Sequence, residues 1–131
     1  MVTKVSGELK VTEWNEEPFV ERDTGKLTKA SVVQEMSGAI EGYTTIVWLL
    51  AYRADGTADF VGMQHIEGAI EDRTGSFVVS SQGAFDGERA AAAWTVVKGS
   101  GAGELSGISG FGSFDAPHGG QATYELSFDL G

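Results

Sequence analysis

The sequence predicts an all-β protein: a closed antiparallel up-and-down barrel of about eight strands, with residues 1–131 as one domain. Three observations carry this expectation. Asp55-Gly56 and Asp86-Gly87 are strong hairpin signals and Glu41-Gly42 a weaker one, because a type I′ turn needs positive φ at both central positions. A short motif recurs at strand ends, in Gly38–Gly42, Gly68–Asp72 and Gly83–Gly87. Its offsets of 30 and 15 residues give the rhythm of a meander of near-constant strand length. No segment shows helical periodicity, and 19 glycines against 2 prolines are spread among β-branched and aromatic residues. Strands with no helix to cover them must hide their edges, and closure does so.

In chain order, Val5 to Trp14 alternates, with Val5, Gly7, Leu9 and Val11 on the buried face, as a half-buried strand does. Asn15 to Lys26 is polar, contains Pro18 and Gly25, and reads as a long loop. Leu27 to Ile40 is the second strand. The third and fourth flank Asp55-Gly56. Gly75 to Phe85 and Glu88 to Lys98 form a hairpin in which Phe77, Val79, Ser81 and Phe85 share the inward face with Val96, Trp94, Ala92 and Glu88. Gly99 to Phe114 is glycine-rich. It lacks both a Gly-Lys-Ser/Thr ending and a following helix, so it reads as a turn and a bent strand, not a phosphate loop. Ala122 to Leu130 closes the chain with Tyr124, Leu126, Phe128 and Leu130 inward.

Register across Glu35–Gly68 decides the faces. With two-residue loops at Glu41-Gly42 and Asp55-Gly56, Trp48 lies opposite Glu35 and Met63, and Leu49 opposite Gln34 and Gly62. That places Gln34, Leu49, Phe60 and Gln64 inside. It places Ile46, Trp48, Leu50, Val61 and Met63 outside as a contiguous apolar patch. A soluble monomer seldom exposes such a patch. The expectation is a homo-oligomer, most simply a twofold dimer with Trp48 near the interface centre.

Composition excludes several functions. Asp and Glu number 19 against 9 Lys and Arg, a formal charge of −10, which disfavours nucleic acid and anionic membrane surfaces as partners. With no cysteine and two histidines there is no His/Cys metal set, and no metal or cofactor is expected. No apolar leader opens the chain, and the longest apolar run, Ile46 to Ala51, is too short to span a bilayer. The expected location is cytoplasmic.

An eight-stranded barrel has room for one small ligand. The expected lining is Gln34, Leu49, Phe60, Gln64, Ser81, Trp94 and Tyr124, a few polar groups converging in an apolar concavity. The bland alternative is that Gln34 and Gln64 bond each other and fill the barrel. At the mouth shared by the Asp55-Gly56 and Asp86-Gly87 turns, Glu13, Arg53, Glu88 and His118 are the polar candidates, with a Glu13–Arg53 pair either binding a polar head or serving as a solvated rim bridge.

Several motifs resemble one family. They are Ala51-Tyr52-Arg53 through Asp55-Gly56, Phe60-Val61-Gly62, Gly75-Ser76-Phe77-Val78, Trp94-Thr95-Val96-Val97, Gly99-Ser100-Gly101, Gly103-Glu104-Leu105 and His118-Gly119. In order and spacing they resemble the bacterial domain-of-unknown-function family 3224 over nearly the whole chain. That family is similar in fold to allene oxide cyclase, a calycin-like barrel. The resemblance implies a central cavity and frequent oligomers, and no activity. Gln64-His65 and Ser81 depart from the family pattern. The leading functional expectation is a barrel that binds a small, mainly apolar or amphipathic molecule. The runner-up, by analogy of fold alone, is a cofactor-free isomerase or cyclase acting on a hydrophobic substrate. The third is a structural or interaction protein with a filled barrel.

Overall fold

Hydrogen-bonded neighbours follow chain order almost all the way round the molecule. The computed structural model describes residues 1–131. Its strands are β1 (Thr3–Arg22), β2 (Gly25–Gly38), β3 (Ile40–Arg53), β4 (Ala58–Ile70), β5 (Arg73–Phe85), β6 (Arg89–Val96), β7 (Ala102–Gly103), β8 (Ser109–Pro117) and β9 (Ala122–Asp129). Eight of them close an antiparallel barrel in the order β1-β2-β3-β4-β5-β6-β8-β9, with β9 returning to β1. The two-residue β7 adds to β5 at Gly75 and Ser76. No helix is present.

The barrel is a cup. At one end the β2–β3 and β4–β5 turns and the β6–β8 connection converge, and Ile40, Ile70, Leu105 and Ile108 are buried there, closing the base. The other end gathers the β1–β2, β3–β4, β5–β6 and β8–β9 turns. There β1 continues past β9, paired with β2 out to Arg22↔Gly25, while β2 is paired with β3 out to Gly25↔Arg53. Asn15 to Lys26 is therefore no loop. Its polar residues are those of a largely exposed strand end that has lost its β9 neighbour, and polarity alone does not separate that from a loop.

The predicted inward faces of β2, β4, β5, β6 and β9 are correct, and that of β3 is inverted. The observed pairs are Gln34↔Thr44, Trp48↔Ala30 and Trp48↔Gly62. Two turns cause the shift. Glu41-Gly42 lies within β3, and the chain reverses around Ala39 instead. The Asp55-Gly56 hairpin has a three-residue loop, Ala54 to Gly56, closed by Arg53 N–H to Thr57 O at 2.8 Å, with Gly56 at φ 89°. That is a type I turn followed by a left-handed glycine, not a two-residue I′ turn. Ile46, Trp48 and Leu50 consequently point into the core, where Trp48 is 6% exposed, and Leu49 points out at 48% exposed. None of those three lies in an outer patch. The outer apolar face instead carries Val47 and Leu49 beside Met63 and Val61.

Aromatic rings fill the interior. Trp48 packs on Trp14 at 5.8 Å, on Phe60 at 5.5 Å and on Phe114 at 5.8 Å between centroids. Trp94 stacks on Tyr124 at 6.1 Å. Gly62 makes room for Trp48, since a Cβ there would strike the indole and the Val47 carbonyl.

Candidate functional site at the barrel mouth

One extra residue decides what faces the mouth. In the lower half of β1, Leu9 and Val11 pair with the inward residues Met36 and Gln34. The register then slips between Val11 and Glu13, leaving Thr12 as a bulge, with its hydroxyl on the Val33 carbonyl at 3.2 Å. A bulge reverses the alternation and re-aims the side chains beyond it. Glu13 and Asn15, which continue the odd-numbered face, turn outward, and Trp14 and Glu16 turn in, opposite Val32 and Ala30.

Glu16 is the chemical centre of the mouth. Its Oε2 accepts from the Thr28 hydroxyl at 2.6 Å and the Tyr52 hydroxyl at 3.0 Å, and its Oε1 accepts from Trp14 Nε1 at 3.1 Å. Both oxygens thus accept from neutral donors. No Lys, Arg or His pairs with it. Around it opens a funnel of about 710 Å³ that Pro18, Lys26, Thr28, Tyr52 and Arg53 help to line. Lys26 Nζ lies 5.2 Å from the Tyr52 ring centroid. Partial burial, then the hydrogen bond and negative charge of Glu16, push the Tyr52 phenol from 10.0 up to about 12. The folded state thus keeps a proton that the unfolded chain releases. This contribution to stability is intact below pH 10 and is lost as pH rises toward 12. Absorbance titration should show Tyr52 ionising later than a free tyrosine, and Glu16→Gln should lower its midpoint. An unchanged midpoint in the variant would place the cause elsewhere.

The sequence-predicted lining divides. Gln34, Phe60, Gln64, Ser81, Trp94 and Tyr124 are all buried and inward, and Leu49 is not. The polar members mostly satisfy one another or the backbone. Trp94 Nε1 donates to Gln64 Oε1 at 2.9 Å, and Gln64 Nε2 donates to Thr44 Oγ1 at 3.2 Å. The Tyr124 hydroxyl donates to Ser37 O at 2.7 Å and accepts from Ile40 N–H at 2.9 Å. Burial pushes its phenol up, and the Ile40 bond partly offsets that. Gln34 and Gln64 do not bond each other. Trp48 Nε1 and Ser81 Oγ, on strands flanking Gly62, have no protein partner. The centre of the barrel is thus packed side chain, and the concavity beside Glu16 lies at the mouth.

The predicted mouth residues do not assemble. Glu13 is exposed on the outer wall, and Arg53 binds Asp59 at 2.8 Å and Thr57 at 3.1 Å instead. Glu88 and His118 do share the rim: the Glu88 carbonyl accepts from His118 N–H at 2.6 Å, and both line a separate shallow depression with Arg89. Sequence reasoning missed Glu16, Thr28 and Tyr52 as a group. The available signal was the sequence Trp14-Asn15-Glu16, an aromatic and a carboxylate two apart, which alternation keeps on one face.

Comparison with known proteins agrees with this architecture and adds no activity. No curated protein matches the chain. The crystal structure of a protein of unknown function from the DUF3224 family, from Shewanella oneidensis MR-1, superposes with a TM-score of 0.80 at 30% identity, covering 98% of each chain. The family model described as "Protein of unknown function (DUF3224)" matches residues 5–128. That span runs from the first strand to the last, so the match takes in the closed barrel, and the chain belongs to the DUF3224 family.

Proposed function

We propose that this barrel binds a small amphipathic molecule at its open mouth, with the polar end at Glu16 and the apolar part against Trp14 and Trp48. The observation that carries the reading is the inward-turned Glu16, held by three neutral donors at the edge of an aromatic core. A pre-ordered polar group beside apolar walls in an open concavity is the usual form of a small-molecule site. The isomerase or cyclase alternative draws on the same residue. It is less well supported, because neither the family nor the superposed relative carries an activity, and three of the carboxylate's about four acceptor positions are already taken. Native mass spectrometry of the purified protein should reveal a retained small molecule, lost in Glu16→Ala. The reading fails if no added amphiphile perturbs the resonances of Trp14 and Tyr52.

A second reading concerns assembly. Val47, Leu49, Val61 and Met63 lie side by side on the outer wall and are 42–58% exposed. None of them is charged. Two copies of a chain of formal charge −10 repel over most of their surface, so a neutral apolar face is where a second copy can dock. Leu49→Lys should then yield monomers by sedimentation at micromolar concentration, with the fold unchanged. If the unmodified protein is already monomeric, this reading is rejected.

A further inference from the structure

We infer that the head group taken by the mouth is an organic cation, an ammonium carried on a short apolar chain. The inference rests on the mouth-binding reading above. Glu16 faces inward with no cationic partner, and its three donors come from Thr28, Tyr52 and Trp14, all neutral. Three bonds leave one of about four carboxylate acceptor positions open, on Oε1. Two aromatic groups stand beside it: Tyr52, which lines the funnel, and Trp14, which donates to Glu16 and packs on Trp48 with centroids 5.8 Å apart and 53° between their planes. Ring faces around a carboxylate attract ammonium groups through the quadrupole and the charge together. The chain supplies its own example, since Lys26 already holds an ammonium 5.2 Å from the Tyr52 centroid. The funnel's own cations, Arg22, Lys26 and Arg53, all lie beyond ion-pair distance of Glu16. The Arg53 guanidinium at the rim is engaged by Asp59 at 2.8 Å. The formal charge of −10 raises the local concentration of cations around the whole molecule.

The test compares hexylammonium, hexanol and hexanoate at pH 7 and fixed ionic strength, with binding read from Trp14 and Tyr52 resonances and from tryptophan fluorescence. Hexylammonium is expected to bind about tenfold more tightly than hexanol, with hexanoate weakest. Glu16→Gln should bring hexylammonium down to the level of hexanol. Should that variant fold poorly, Lys26→Met serves instead. It removes the competing internal ammonium and should raise hexylammonium affinity roughly twofold or more. Hexanol binding as tightly as hexylammonium, or hexanoate binding most tightly, overturns the cation inference and leaves the mouth reading intact. No binding by any of the three overturns both.

Discussion

Trp48→Ala is expected to lower the unfolding free energy by about 3–5 kcal/mol, the cost of emptying a large aromatic site in a packed core. Trp48 is 6% exposed and contacts three other aromatic rings. The void has little means of collapsing, because Gly62 beneath the indole has no side chain to move in and the barrel's closed ladder holds the strands apart. Trp48→Glu should be worse still, since it adds a buried charge without a partner. Chemical denaturation measures the first, and soluble yield the second. A substitution at Trp48 that dissociates an oligomer and leaves the melting temperature unchanged would contradict the inward placement of β3.

Gln64→Leu is the second substitution with a large expected effect. Gln64 is fully buried and joins Trp94 Nε1 to Thr44 Oγ1 across three strands. Replacing it with an apolar side chain orphans a buried N–H and a buried hydroxyl, at about 1–3 kcal/mol for each group. Removing the bridge together with both its partners should cost less polar desolvation than removing the bridge alone, because no member of the network then remains unpaired. The triple variant Gln64→Leu, Thr44→Val, Trp94→Phe should therefore recover part of the stability lost in Gln64→Leu. If the three losses simply add, the network is not acting as a unit.

The inward faces of β2, β4, β5 and β6 were legible because one side of each is richer in polar or small residues than the other. Lys29, Ser31 and Glu35 alternate with Ala30, Val32 and Gln34, and only one phase buries the second set. In β3 the run Ile46-Val47-Trp48-Leu49-Leu50 is apolar on both faces, so alternation carries no phase and the turn lengths decide it. Those lengths are odd at both ends of β3, and hairpin dipeptides do not encode that. The interior set was correspondingly right at Gln34, Phe60, Gln64, Ser81, Trp94 and Tyr124 and wrong at Leu49. At the mouth, Glu13 was the natural reading of an unbroken strand. Glu16 takes its place through a bulge that no turn residue announces, since Thr12 is an ordinary strand residue.

That bulge makes the mouth tolerant of one change in chain length. Below Thr12, β1 is paired on both sides, with β9 and β2, and above it with β2 alone, out to Arg22↔Gly25. Loss of the single codon for Thr12 would remove the bulge and leave Val11↔Gln34, Glu13↔Val33, Trp14↔Val32 and Glu16↔Ala30 as pairs of one regular strand. Trp14 and Glu16 would still face inward. The deletion variant should therefore keep both its far-ultraviolet spectrum and the Trp14–Trp48 contact, which nuclear Overhauser effects between the two indoles report directly. Loss of that contact would show that the faces beyond the bulge depend on Thr12 itself.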